Sequence, residues 1–138
     1  MGRQYAQDCP VARTLDVIGD RWTLLILRDL FMGTSRFGEF LERSPGLPPK
    51  ILSARLRTLK DQGFVDRRIY SLHPLRAEYL LTDKGRSLLP IVLEIGNWGL
   101  KYGFEGETEV RNRIAEMVYN AIPESRPMIE EGGFISGR

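Results

Sequence analysis

Apolar positions along this chain recur first with a helical period and then, over one short interval, with a strand period. Pro10 to Ile18 places Val11, Leu15 and Ile18 on one face, with proline at the first helical position and Gly19 as the stop. Asp20 can cap the next segment, DRWTLLILRDLFMG (20–33), where Trp22, Leu25, Ile26, Leu27 and Leu30 cover most of the circumference. Such a helix belongs at the centre of a core. Thr34 or Ser35 can cap a short third helix over RFGEFLER (36–43), with Phe37, Phe40 and Leu41 inward. SPGLPP (44–49) then makes a rigid turn.

A fourth helix runs from about Pro49 to Gln62. Ile51, Leu52, Leu56 and Leu59 gather on one side, opposite Lys50, Ala54, Arg57 and Asp61, with Ser53 and Thr58 at the flanks. Gly63 stands where a helix end favours glycine. FVDRRIY (64–70) reads as a strand, SLHPLR (71–76) as a loop around Pro74, and AEYLL (77–81) as a second strand. A hairpin that small must pack on the helices to be stable. Thr82 can cap a long helix from 83 to about 102, kinked at Pro90. Residues 108–121 repeat the helical pattern with Val110, Ile114, Met117 and Val118 inward, and the tail ESRPMIEEGGFISGR reads as loosely held or disordered.

The expected fold is mainly α with a small antiparallel β-hairpin. Three helices, a recognition-type helix after a tight turn, a two-stranded wing and a long helix make a winged helix-turn-helix with a long dimerisation helix. Its 138 residues suit one domain with a small core. No apolar run approaches the roughly 20 residues that span a membrane, and the start of the chain lacks the apolar segment of a signal peptide. The single cysteine rules out an internal disulfide and points to a reducing cytoplasm.

A net charge of +2 conceals an uneven distribution. Residues 50–76 contain seven basic side chains (Lys50, Arg55, Arg57, Lys60, Arg67, Arg68, Arg76) against only Asp61 and Asp66. That block carries +5, whereas residues 105–138 carry −3. A concentrated positive block suits a polyanion such as double-stranded DNA; the plainer interpretation is a solvated face.

The run from Cys9-Pro10 through GDRWTLLILRDL, RFGEF, LSARLRTLKDQGFVDR and YLLTDKGRSL to a tryptophan resembles the HxlR-type family of bacterial winged-helix regulators. The likeness covers roughly residues 8–104, expected to form the DNA-binding and dimerisation domain, and leaves 105–138 as a helical extension and tail. It implies a homodimeric DNA-binding protein that represses or activates nearby genes. The family normally has Ser or Thr where this chain has Pro48, so a capping hydroxyl that could also meet a phosphate is missing.

In the major groove, the N-terminal half of the fourth helix would present Lys50, Ser53, Ala54 and Arg57 to base edges. Arg57 can bond a guanine edge in two places, and Ala54 admits a thymine methyl. Arg55 falls beside the apolar stripe and reads as structural, snorkelling or paired with an acid of a neighbouring helix. In the wing, Arg68 and Arg76 are the phosphate candidates; Arg67 alternates with Arg68, so only one of the two should face DNA. Ser35 and Arg36 begin the third helix, where another phosphate could sit. His73 belongs in solvent at the wing tip, and no metal ligands accompany it.

Leu88, Leu89, Ile91, Val92, Leu93, Ile95, Trp98 and Leu100 give the long helix more apolar surface than a monomer needs, which points to a two-fold interface formed by Leu88, Leu89, Val92, Ile95 and Trp98. Cys9 at a helix N-cap faces the positive end of the dipole, near Arg13, although Asp8 works against it. The matching cysteine in some members of the resembled family senses oxidants or electrophiles, so Cys9 is a redox-sensing candidate against the alternative of an inert thiol. One His and one Cys, with no phosphate loop or ligand cluster, argue against an enzyme and against a cofactor or metal. A small-molecule effector is compatible with the pattern, and nothing in the residues identifies it. The rival function is a winged-helix protein-interaction module that never meets DNA.

Overall fold

A computed structural model describes residues 8–102 and 109–121, with side chains for 8–102 and 111–117. The elements in order are α1 (Pro10–Ile18), α2 (Arg21–Phe31), α3 (Phe37–Arg43), α4 (Pro49–Asp61), β1 (Val65–Leu72), β2 (Leu75–Leu81), α5 (Asp83–Arg86), α6 (Leu89–Tyr102) and α7 (Glu109–Ala121). They divide into two compact units, one ending at Ser87 and the other beginning at Leu88.

The first unit is built around α2. Ile26, Leu27 and Leu30 are buried there, together with Phe40 of α3, Leu52, Leu56 and Leu59 of α4, and Val65 of β1. Fully burying side chains of this size stabilises by roughly 1.5–3 kcal/mol each, so these residues fix how α2, α3 and α4 meet. A polar tie accompanies them. Asp29, 1% exposed, accepts from Arg28 Nε at 3.0 Å and from the Ser44 hydroxyl at 3.3 Å, linking α2 to the end of α3.

The caps follow local chemistry, with one exception. Asp20 Oδ1 accepts from the Trp22 and Thr23 amides at 3.1 and 3.0 Å, as the sequence leads one to expect. Neither Thr34 nor Ser35 caps α3. Ser35 is drawn into the sheet, where its carbonyl accepts from Tyr79 N at 2.8 Å, and Glu39 reaches back to the Arg36 amide at 3.0 Å. At the end of α4, Gly63 has φ +80°. Phe64 N donates to Leu59 O at 2.8 Å and Gly63 N to Lys60 O at 3.0 Å, the paired bonds of a Schellman stop.

That stop is clasped by the segment after β2. Thr82 N donates to Phe64 O, its hydroxyl donates to Gly63 O, and Lys84 Nζ donates to Gln62 O. Gly85 lies so close that an added Cβ would stand 2.1 Å from Phe64 O. The TDKG stretch therefore locks the wing's second strand onto the end of α4.

The wing is longer than the sequence pattern indicates. β1 and β2 pair antiparallel from Val65↔Leu81 to Leu72↔Leu75, with an irregularity between Ile69 and Ser71. The loop over 71–76 shrinks to a turn at His73–Pro74, a cis peptide. Leu72 and Leu75 flank it, 68% and 59% exposed.

The long helix from 83 to 102 is likewise two pieces. Proline has no amide hydrogen and its ring clashes with a carbonyl four residues earlier, so it is tolerated in a first turn rather than in an interior. Pro90 accordingly sits in the first turn of α6, and the chain breaks at Ser87–Leu88 instead of kinking. In the second unit α6 and α7 pack on each other. Ala115 is buried and Ile114 and Met117 are half-buried. Val110 and Val118 lie outside the described side chains, and the tail from 124 lies outside the described residues.

Candidate nucleic-acid interface

The outward face of α4 carries Lys50, Ser53, Ala54, Arg57 and Lys60, all exposed. Pro48 provides no side-chain cap; the helix starts with Pro49 in its first turn and the Leu52 amide bonded to Pro48 O at 3.0 Å. The rigid start brings Lys50 and Ser53 to the exposed N-terminal end.

Arg55 does not share that face. Its Nε meets Asp20 Oδ1 at 3.0 Å, joining α4 to the N-cap of α2. Burial alone would raise the Asp20 carboxyl, but the Thr23 hydroxyl and amide and the Arg55 guanidinium outweigh it and hold the group below its ordinary value. One carboxylate thus starts one helix and anchors another.

The wing arginines separate by strand parity. Arg68 turns to Glu78 across the hairpin, with Nε at 3.0 Å from Oε1, on the side where the Arg36 guanidinium lies 4.5 Å over the Tyr70 ring. Arg68 thus has a carboxylate partner within the hairpin, although its side chain remains 65% exposed. Arg67 instead lines a cleft of about 300 Å³ with Ser53, Arg57, Lys60 and Tyr79. Val65, two residues earlier, is buried against the helices, and side chains two apart share a strand face. That parity was available in the sequence and assigns Arg67 to the α4 side.

Arg76 is exposed beyond the irregularity, opposite Ser71, and His73 is exposed at the tip. At the start of α3 the Arg36 amide is already taken by Glu39 Oε1 at 3.0 Å, while the Arg36 side chain is exposed and Ser35 is half-buried. Among the described residues no carboxylate pairs with Lys50, Arg57, Lys60, Arg67 or Arg76. Five cations on α4 and the wing are left uncompensated.

On α6 the candidate interface residues split between two faces. Leu88 and Val92 are buried, 9% and 8% exposed, so they serve the packing of a single copy and have no surface to offer a second. Leu89 is half-buried. Ile95 and Trp98 belong with Ile91 and Tyr102 to an exposed stripe at helical spacing, and the Trp98 and Tyr102 rings stand 5.5 Å apart. Tyr102 is the member outside the apolar set expected from the sequence.

Cys9 caps α1 through its sulfur, which accepts from Ala12 N at 3.3 Å, and the thiol is half-exposed. Arg13, the expected nearby cation, pairs with Asp8 at 3.1 Å. Among the described residues no group of His, Cys, Asp and Glu has the makings of a metal site, and no helix is long and apolar enough to cross a membrane.

Residues 17–107 match the HxlR-like helix-turn-helix family model. An HTH-type transcriptional regulator of Mycobacterium tuberculosis is 48% identical over 92 residues; the match covers 67% of this chain and spans 58% of that relative's length. YdeP of Bacillus subtilis, an HTH-type transcriptional regulator, is 39% identical over 106 residues, covering 74% of this chain and 83% of YdeP. Among solved structures, the redox regulator HypR in its reduced form superimposes with a TM-score of 0.62 at 41% identity, covering 66% of this chain and 90% of HypR. HypR in its oxidised form gives the same TM-score at 42% identity.

Proposed function

The chain belongs to the HxlR-like helix-turn-helix family, and on that footing we propose that it is a sequence-specific transcription regulator that binds duplex DNA as a homodimer. The observation that carries this reading is the set of unpaired cations. Of the seven basic side chains in residues 50–76, Arg55 and Arg68 are neutralised by Asp20 and Glu78, while the five left charged lie on α4 and the wing. A protein-interaction module has no need for that division of labour; a phosphate-rich partner does.

In this reading α4 enters the major groove with Lys50, Ser53, Ala54 and Arg57 toward base edges, and Arg67 and Arg76 meet the backbone. The exposed stripe Ile91, Ile95, Trp98 and Tyr102 packs against its counterpart in a second copy, which sets two α4 helices on two half-sites. Residues 8–104 serve as the DNA-binding and dimerisation domain.

Cys9 makes the regulator responsive to oxidants or electrophiles. The half-exposed N-cap sulfur favours this role, as does the likeness to HypR, a redox regulator solved in both redox forms. With one cysteine in the sequence, the outcomes open to it are alkylation, a mixed disulfide or a Cys9–Cys9 link between copies.

Salt dependence of binding tests the central reading. Affinity of the whole chain for duplex DNA should fall steeply and log-linearly with salt. Absence of DNA retention at low salt, alongside capture of a protein partner, would favour the interaction module instead.

A further inference from the structure

The cleft between α4 and β1 is lined by Ser53, Arg57, Lys60, Arg67 and Tyr79. α4 supplies the first three from one stripe of neighbouring turns. β1 supplies Arg67, and Tyr79 is its direct partner across the hairpin, so the two side chains stand together on one sheet face. Three cations and two hydroxyls converge from two elements, with no carboxylate among the lining residues. The fold has compensated Arg55 and Arg68 nearby, yet leaves these three without an acidic partner among the described residues. Like charges held around one small cleft repel, and an anion placed among them relieves that repulsion.

The geometry points to a seat for a single phosphate group, straddled by Lys60 from the helix and Arg67 from the wing. The proposal rests on the DNA-binding reading, in which the phosphate belongs to the duplex backbone. A phosphodiester presents two free oxygens and one negative charge. The Arg67 guanidinium can take both oxygens in a fork, the Lys60 ammonium adds a point charge, and the Tyr79 hydroxyl can donate, while Ser53 lines the cleft on its base-facing side. Arg57 borders both this cleft and the outward face of α4, so it links the seat to the bases beside it. A phosphate clamped between helix and wing fixes the register of α4 in the groove and carries no sequence information itself.

The test compares the wild type with Lys60→Gln, Arg67→Gln and the double variant, each as the full chain, on a random-sequence duplex. The readout is the slope of log affinity against log salt. If both residues hold one phosphate, the double variant loses about 0.9 from the slope. A loss of about 1.8 would mean two separate phosphates, and no loss would mean none; either overturns the proposal. Circular dichroism confirms that these surface variants fold. In a second arm the full chain is titrated with inorganic phosphate at ionic strength matched with chloride, and amide shifts are followed by NMR. If the wild type binds no duplex at all, the functional reading fails by itself and this arm decides the seat. Saturable shifts at Ser53, Lys60, Arg67 and Tyr79 that vanish in the double variant would assign it to a free phosphorylated ligand. Absence of such shifts would then overturn it.

Discussion

Replacing Arg55 by methionine should weaken the fold without touching DNA recognition. Methionine retains much of the apolar stem and removes the guanidinium that meets Asp20 Oδ1 at 3.0 Å. The two side chains are 20% and 29% exposed. The pair therefore lies between exposed ion pairs, worth about 0–1 kcal/mol, and buried ones whose rupture costs about 3–5 kcal/mol. We expect about 1–2 kcal/mol of coupling between Arg55 and Asp20. Asp20→Ala should cost more, about 3 kcal/mol, because the same carboxylate also caps α2 and accepts the Thr23 hydroxyl. In a chain of 138 residues each kcal/mol moves the thermal midpoint by about 4 °C.

The pH dependence has a fixed sign. Asp20 is held below its ordinary value in the folded chain, so its contribution is complete above the unfolded value of about 3.9 and is lost as pH falls through the folded one. Urea unfolding of the wild type, both single variants and the double variant at pH 7 and again below pH 4 measures the coupling directly. A coupling near zero at pH 7 would refute the reasoning. So would an Arg55→Met chain of unchanged stability that had lost preference for its DNA site.

Three further outcomes are expected. Gly85→Ala should destabilise by about 3 kcal/mol in urea unfolding, since its Cβ would meet the Phe64 carbonyl at 2.1 Å; an unchanged midpoint would mean that α5 does not seat there. Trp98→Glu should convert a sedimenting dimer into a monomer, because Trp98 is 64% exposed at the centre of the α6 stripe; a dimer of undiminished affinity would place the interface elsewhere. Diamide should change DNA retention by the wild type and leave Cys9→Ser unaffected, and equal responses would remove Cys9 from any sensing role.

The features legible in the sequence are those settled within a few residues. Asp20 as a cap, Gly63 as a helix stop, the apolar side of α4 and the inward turn of Arg55 all follow from helical spacing and short-range hydrogen bonding. What escaped depends on partners distant in the chain. Ser35 pairs with Tyr79 through its carbonyl, and Arg36, one residue on, takes the N-cap of α3. Arg68 pairs with Glu78, ten residues on, and the hairpin extends to a two-residue turn with Leu72 opposite Leu75. Leu88 and Val92 belong to the apolar surplus of the long helix, but surplus alone does not say which face is already covered. Pro90 has a simpler reason: a proline marks a new helix start as readily as a kink, and here it lies in the first turn of α6.

The most direct test of the account is the affinity of the wild type and Arg57→Ala for the DNA upstream of the gene that encodes this chain, each divided by affinity for a random duplex at the same salt. Arg57 is exposed on α4 and meets no carboxylate among the described residues, and a bidentate arginine–guanine contact discriminates by about 1–3 kcal/mol. The ratio should fall by about 5- to 150-fold in the variant, chiefly through loss of specific binding. An unchanged ratio would contradict it and show that α4 does not read bases through this residue.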